Sequence, residues 1–276
     1  MRHVFIATDD NALPQVLTVI YSLIVNVSRR DYAVTLVVDG DAQAAENKVK
    51  AEFADSGFTF FVHKAHETLR QCKPVYSRLP LPTFVRLEMT TYLPADAHRV
   101  LYLDTDVVVV DDVDELFTVP MDNTCMLVVA ARHMVYDKMF NAGVLVINLD
   151  RWRELNVTER ACYAALSNEK SSDEDILNYL LRDDVRYISC MFNYLQWGFG
   201  MVSLKNFLLN HGMGRRDVHI VHFQGDEKPW KYPDVPLARI YEMYANRNVN
   251  RELQNALLWV YTRWGRNERA DVVCEG

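Results

Sequence analysis

The segment Val100-Leu101-Tyr102-Leu103-Asp104-Thr105-Asp106 places an apolar run directly before two carboxylates separated by a single threonine. Charge at the end of a buried strand has to be balanced, and a cation is the usual partner. In extended chain, residues two apart point to one side, so Asp104 and Asp106 converge on one ion at the carboxyl end of the strand, where open α/β sheets bind ligands. Oxygen ligands of this kind suit Mg²⁺ or Mn²⁺. The same pair also reads as solvated loop acids or helix caps, which Asp-x-Asp triplets commonly are. Far downstream, His222 ends the apolar stretch Val218 to Phe223 and is followed by Gly225 and Lys228. Glycine permits close backbone approach and an ammonium suits phosphate oxygens, so metal, backbone amide and ammonium together describe a clamp for a diphosphate. An imidazole beside two carboxylates shifts the expected ion from Mg²⁺ toward Mn²⁺; taken alone, His222 reads as a hydrogen-bonded structural residue. His133, His211 and His219 have no such context. Asp111, Asp112, Asp114 and Glu115 read as the charged first turn of a short helix through Leu116-Phe117, outside the site.

The elements that must position these groups alternate along the chain. Val4 to Ala7 reads as a strand, Gln15 to Asn26 as a helix and Ala33 to Val38 as a strand, which makes a βαβ unit. A helix from about Ala42 closed by Gly57 follows, then a strand Phe58 to Val62, a helix near Thr83 to Thr91 and the strand Val100 to Leu103. Further strands are expected at Val107 to Val110, Met126 to Ala130, Val144 to Asn148 and Val218 to Phe223, with helices at about Thr158 to Ser167 and Asp175 to Leu181. The pattern implies a mostly parallel, twisted α/β sheet flanked by helices. Pro229, Pro233 and Pro236 break the chain after Trp230, so one main domain over 1–232 and a helical segment over 233–276 are expected.

Composition narrows the partners. The 276 residues carry a formal net charge of −7, which offers no basic field for a nucleic-acid backbone. Five widely spaced cysteines without a Cys-x-x-Cys pair fit a reducing cytoplasm better than a disulfide scaffold. The amino-terminal apolar stretch is too short for a signal peptide, and no charge-free stretch is long enough to span a membrane. Neither G-x-G-x-x-G nor G-x-x-x-x-G-K occurs, which argues against a dinucleotide or P-loop site.

Several ordered blocks resemble the GT-A-fold, retaining glycosyltransferases that group glycogenin with bacterial lipopolysaccharide galactosyl- and glucosyltransferases (family 8). They are Ala7-Thr8-Asp9-Asp10-Asn11, Arg86, Leu103-Asp104-Thr105-Asp106, Phe140-Asn141-Ala142-Gly143-Val144, Asp173-Glu174-Asp175-Ile176-Leu177-Asn178, and His222-Phe223-Gln224-Gly225 with Lys228-Pro229-Trp230. The resemblance implies a UDP-sugar donor, with Asp9, Asn11 and the backbone of Ala7 at the uracil and ribose. It implies a metal held by Asp104, Asp106 and His222, with Thr105 and Ala142 beside the donor and Gly225 and Lys228 on the diphosphate. Arg86, Asn141 and Asp173 would meet the donor sugar's hydroxyls, and Asp173 and Glu174 would serve the chemistry. Each has a plainer reading: Asp9 as a turn cap, Arg86 as a surface helix charge, Asn141 as a turn residue, Asp173 as a helix N-cap.

Two positions depart from the family pattern. Ala12 stands where several bacterial members place a tyrosine against the uracil ring, which weakens the implied nucleotide preference. Glu174 stands where lipopolysaccharide enzymes commonly carry glutamine, and a carboxylate near the anomeric carbon can act as a nucleophile where an amide cannot. The resemblance favours front-side attack over a covalent intermediate, because it includes members without a carboxylate there. The expected activity is transfer of galactose or glucose from a UDP-hexose to a saccharide or lipid-linked glycan acceptor, with Mn²⁺ as cofactor and Mg²⁺ as the alternative. Two other readings compete: a haloacid-dehalogenase-type phosphatase using Asp104 and Asp106, and a non-catalytic UDP-sugar-binding protein. Leu253, Leu257, Leu258, Trp259, Tyr261, Arg263, Trp264 and Arg266 mix apolar and basic character, so the tail reads as a peripheral contact on the inner face of the membrane or as a helix packed on the domain or on another subunit.

Overall fold

The computed structural model describes residues 1–67, 81–131, 139–167, 172–195 and 218–264. Cys72, Cys274, His133, His211 and Arg266 lie outside them. The strands are β1 (Arg2–Asp9), β2 (Tyr32–Asp39), β3 (Thr59–Lys64), β4 (Arg99–Leu103), β5 (Val107–Val109), β6 (Met126–Ala130), β7 (Phe140–Asn148), β8 (Val185–Tyr187), β9 (Tyr194–Leu195) and β10 (Ile220–His222). The helices are α1 (Leu13–Asn26), α2 (Ala42–Phe53), α3 (Pro82–Val85), α4 (Leu149–Glu154), α5 (Val157–Ser167), α6 (Asp173–Leu181), α7 (Ala238–Ala245) and α8 (Arg251–Trp264).

Seven strands form one sheet in the order β3-β2-β1-β4-β7-β6-β8, in which only β7 runs against its neighbours. Alternation along each strand divides the core between the two faces. Val4, Ile6, Leu101 and Leu103 pack on one side with α1, whereas Phe5, Ala7, Val100 and Tyr102 pack on the other with α4 and α5. Gly57 adopts a φ of 80° after α2, the left-handed turn that a closing glycine permits.

A second, three-stranded sheet in the order β5-β10-β9 stands at the carboxyl end of β4. Its formation explains how distant residues meet. The chain turns at Thr105-Asp106 and enters β5, whose Val107 pairs with His222 of β10, while Phe223 N–H donates to the Asp106 carbonyl at 2.9 Å. The two acids therefore converge through a turn between sheets rather than through strand alternation. The expected helix at Thr83 to Thr91 is split into α3 and a 3-10 segment, with Glu88 at φ −106°, ψ 19°. Arg86 Nε donates to the Thr83 carbonyl at 2.9 Å, occupying an acceptor that a continuing helix would use.

After the proline-rich stretch, α7 buries Ile240, Tyr241, Met243 and Tyr244 against the face that carries α1. The start of α8 is tied down as well, by Gln254 Nε2 to the Val110 carbonyl at 2.9 Å and by Tyr244 Oη to Gln254 Oε1 at 2.6 Å. Among the described residues no helix is long and apolar enough to cross a membrane.

Candidate active site

Asp104, Asp106 and His222 each offer a ligand atom, and these atoms lie within 4.8 Å of one another. Asp104 is oriented from behind: Tyr102 Oη donates to its Oδ1 at 2.6 Å and Arg86 NH2 donates to the same oxygen at 2.7 Å. Asp106 Oδ1 is 3.3 Å from His222 Nε2, and its Oδ2 accepts from Lys228 Nζ at 2.5 Å. Burial opposes ionisation of Asp106, but the His222 imidazole and the Lys228 ammonium outweigh it and hold this carboxyl well below its usual range.

Arg86 organises the floor. It is buried, its guanidinium lies 4.3 Å over the Tyr102 ring, NH1 donates to the Ala142 carbonyl at 2.6 Å and Nε pairs with Asp173 at 2.9 Å. Desolvation weakens its charge, but Asp104 and Asp173 more than restore it and raise its proton affinity. Asp173 opens α6 behind the N-cap Ser172, which forms a capping box with Asp175; Asp173 is therefore not the cap but a buried acid facing Arg86. Burial, with Asp104 and Glu174 nearby, pushes Asp173 up to about 7 against the pull of Arg86. Glu174 is likewise raised, chiefly by burial, while its Oε2 accepts from Ala142 N–H at 2.8 Å and Asn141 Nδ2 at 3.1 Å.

The donor set fits a divalent cation. Four carboxyls, Asp104, Asp106, Asp173 and Glu174, stand near one guanidinium and one ammonium among the described residues, a surplus of acid that a cation would offset. Two carboxylates and an imidazole are oxygen and nitrogen donors of intermediate hardness. Gly143 completes the cradle: a Cβ on it would fall 2.2 Å from His222 Cε1 and 2.9 Å from Asp104 Oδ2.

A cleft of about 350 Å³, open to solvent, runs from the end of β1 to this cluster and is lined in part by Ala7, Asp9, Arg86, Tyr102, Asp104 and Thr105. Asp9 ends β1 and its Oδ1 accepts from Ala12 N–H at 2.9 Å, capping a 3-10 turn. Asn11 is exposed on that turn and Ala12 borders the cleft. Gly225 has a φ of 94° with nothing within 4 Å of a notional Cβ, so conformation rather than space calls for glycine there. Asp112 and Asp114 are engaged elsewhere. Asp114 accepts from the Tyr32 hydroxyl at 2.5 Å and Asp112 Oδ1 from Asp114 N–H at 2.7 Å. His219 stacks on Phe192 and bonds the Asp112 carbonyl at 2.6 Å.

Three contributors were missed at the level of sequence. Tyr102 had a readable signal, since it lies two residues before Asp104, in the strand that leads to it. Gly143 carries no signal of its own within Phe140-Asn141-Ala142-Gly143-Val144. Asn193, which accepts from His222 Nδ1 at 2.8 Å, had none, because only the pairing of β9 with β10 brings it near.

Residues 3–234 match Glycosyl transferase family 8. The chain belongs to this family. General stress protein A of Bacillus subtilis is 24% identical over 258 residues, covering 83% of this chain and 87% of that protein. The lipopolysaccharide 1,2-glucosyltransferase of Escherichia coli is 24% identical over 189 residues, 62% of this chain and 55% of that enzyme. Among solved structures, the galactosyltransferase LgtC in complex with donor and acceptor sugar analogues aligns with a TM-score of 0.76 and 22% identity, over 92% of this chain and 99% of that one. The fold of this family 8 protein is thus the mixed α/β GT-A arrangement, with a mostly parallel central sheet. Membership sets aside the phosphatase reading of Asp104 and Asp106, whose strand here follows three others rather than opening the domain.

Proposed function

We propose that this family 8 glycosyltransferase moves galactose or glucose, with retention, from a UDP-hexose to a saccharide or lipid-linked glycan acceptor, and that it depends on Mn²⁺ or, alternatively, Mg²⁺. The observation that carries the reading is the convergence of Asp104, Asp106 and His222, with Asp104 also lining a cleft that Ala7 and Asp9 border. That layout supports uracil and ribose at Ala7, Asp9 and Asn11, diphosphate at the cluster, and hexose toward Arg86, Asn141 and Asp173. The named lipopolysaccharide and LgtC relatives support the acceptor class.

A divalent ion bound by Asp104, Asp106 and His222 would neutralise the departing diphosphate. Lys228, already anchored on Asp106 and on the Phe223 carbonyl at 2.8 Å, would turn its ammonium onto a phosphate oxygen, and Gly225 would offer its backbone N–H beside it. Arg86 keeps Asp104 and Asp173 at fixed spacing. Thr105 and Ala142 would border the donor. Glu174 Oε2 is engaged by two N–H donors, which ties the carboxyl down as an anchor and lowers its reactivity as a nucleophile. This favours front-side attack, in which the acceptor oxygen bonds C1 on the face the phosphate leaves and passes its proton to that phosphate. Cys125, Cys162 and Cys190 form no disulfide among the described residues, which supports a cytoplasmic setting, with α8 as the candidate peripheral contact with the membrane.

The test is a panel of UDP-sugars assayed for Mn²⁺-dependent UDP release, with calorimetry to rank donors. UDP-galactose or UDP-glucose is expected to turn over. Cleavage of none of the panel, with tight binding of one, would favour the non-catalytic binding protein.

A further inference from the structure

Behind His222 lies an unbroken chain of polar atoms whose direction is set by the backbone. Glu174 Oε2 accepts from Ala142 N–H and from Asn141 Nδ2. Gly143 N–H donates to Asn141 Oδ1 at 3.1 Å. Exchanging the oxygen and nitrogen of Asn141 would set two donors face to face at Gly143 and two acceptors at Glu174, so the amide has one permitted orientation. Asn193 Nδ2 donates to the same Asn141 oxygen at 2.7 Å, which turns Asn193 Oδ1 to His222 Nδ1 at 2.8 Å. An amide oxygen only accepts. Nδ1 therefore carries a hydrogen, which leaves Nε2, the atom 3.3 Å from Asp106, as the nitrogen that can offer a lone pair to a metal. Asn141, Asn193 and His222 are 3%, 1% and 2% exposed, so water does not compete for these bonds.

We propose that Asn193 is the positioning residue for His222: it holds the imidazole in the Nδ1–H form, rotated so that Nε2 joins Asp104 and Asp106, and links that ligand to Asn141 and Glu174. The inference rests on the metal reading above and adds a residue that reaches the site only through the β9–β10 pairing. Partners that orient a metal-binding histidine set both its tautomer and its basicity.

Wild type, Asn193→Leu and Asn193→Asp are compared without any sugar nucleotide. Mn²⁺ binding is read from the electron paramagnetic resonance signal of the free ion. The His222 tautomer is read from long-range ¹H–¹⁵N spectra of histidine-labelled protein, assigned with His222→Gln. The wild type is expected to show Nδ1–H. Asn193→Leu is expected to bind Mn²⁺ about 10–100-fold more weakly and to lose the single tautomer. Asn193→Asp still accepts from Nδ1 but gives Asn141 no hydrogen, so it is expected to bind Mn²⁺ within about threefold of wild type. A wild-type ring without Nδ1–H, wild-type affinity in Asn193→Leu, or equal weakness in both variants overturns the assignment. Should Asn193→Leu fail to fold, the wild-type tautomer and Asn193→Asp decide. Wild-type Mn²⁺ affinity in His222→Gln would instead remove His222 from the ion, overturning the metal reading and this inference with it.

Discussion

Alanine at Gly143 asks whether the two sheets meet as closely as the site requires. The added methyl would lie 2.2 Å from His222 Cε1, 2.9 Å from His222 Nδ1 and 2.9 Å from Asp104 Oδ2. Non-bonded carbons settle at about 3.5–4.0 Å, so the imidazole must retreat by about 1.3 Å or more. Retreat is obstructed, because His222 is buried, its strand is paired on both sides and Asn193 stands behind the ring. Metal–ligand distances tolerate only about 0.2 Å. The substitution is therefore expected to weaken Mn²⁺ binding by about 100-fold, or about 2.7 kcal/mol. Overpacking should also lower folding stability by about 1–3 kcal/mol. Mn²⁺ titration of the purified variant, beside urea unfolding, measures both. Wild-type affinity together with wild-type stability would refute the packing argument.

Three further outcomes follow from the same contacts. Arg86→Met leaves Asp104 and Asp173 without their shared cation and should cost about 3–5 kcal/mol in urea unfolding. Arg86→Lys restores the charge but not the fork, so it should recover only part of that; full recovery would show that geometry is unimportant here. Glu174→Gln keeps an acceptor for Ala142 N–H and should retain near-normal kcat, whereas a loss of about a thousandfold with a trapped sugar adduct in mass spectra of wild type would establish a covalent route. Glu88 is 4% exposed, and burial raises its carboxyl above the ordinary 4.5 against the Tyr92 hydroxyl bond. A raised folded-state value means that the stability tied to the protonated acid is complete below 4.5 and lost as pH climbs through the folded value. Glu88→Gln should therefore gain in Tm over wild type as pH goes from about 4 to 8, and a pH-independent difference would contradict this.

The parts of the molecule that were readable from sequence are those governed by local rules. Val4 to Ala7, Gln15 to Asn26 and Ala33 to Val38 lie inside β1, α1 and β2 because apolar period and helix punctuation coincide there. Met126 to Ala130 matches β6 residue for residue. What escaped depends on contacts between distant segments. The strand expected from Val144 begins at Phe140, since Asn141 and Gly143 resemble a turn until the roles of Gly143 beside His222 and of Asn141 beside Asn193 are known. The helix α4 went unread because it is short and leans on Asn148, whose side chain caps it through Arg151 N–H at 3.2 Å. The short strands β8 and β9 went unread for want of a periodic run, and with them Asn193. Asp104, Asp106 and His222 were legible as types and spacing, but the turn that joins them belongs to the second sheet.

The most direct measurement of the central claim is the rate of UDP release from a UDP-hexose by protein stripped with EDTA, before and after Mn²⁺ is restored. Turnover should fall by orders of magnitude on stripping and return on titration with Mn²⁺, with His222→Ala failing to recover. Undiminished turnover in excess EDTA would contradict the reading of Asp104, Asp106 and His222 as one ion site.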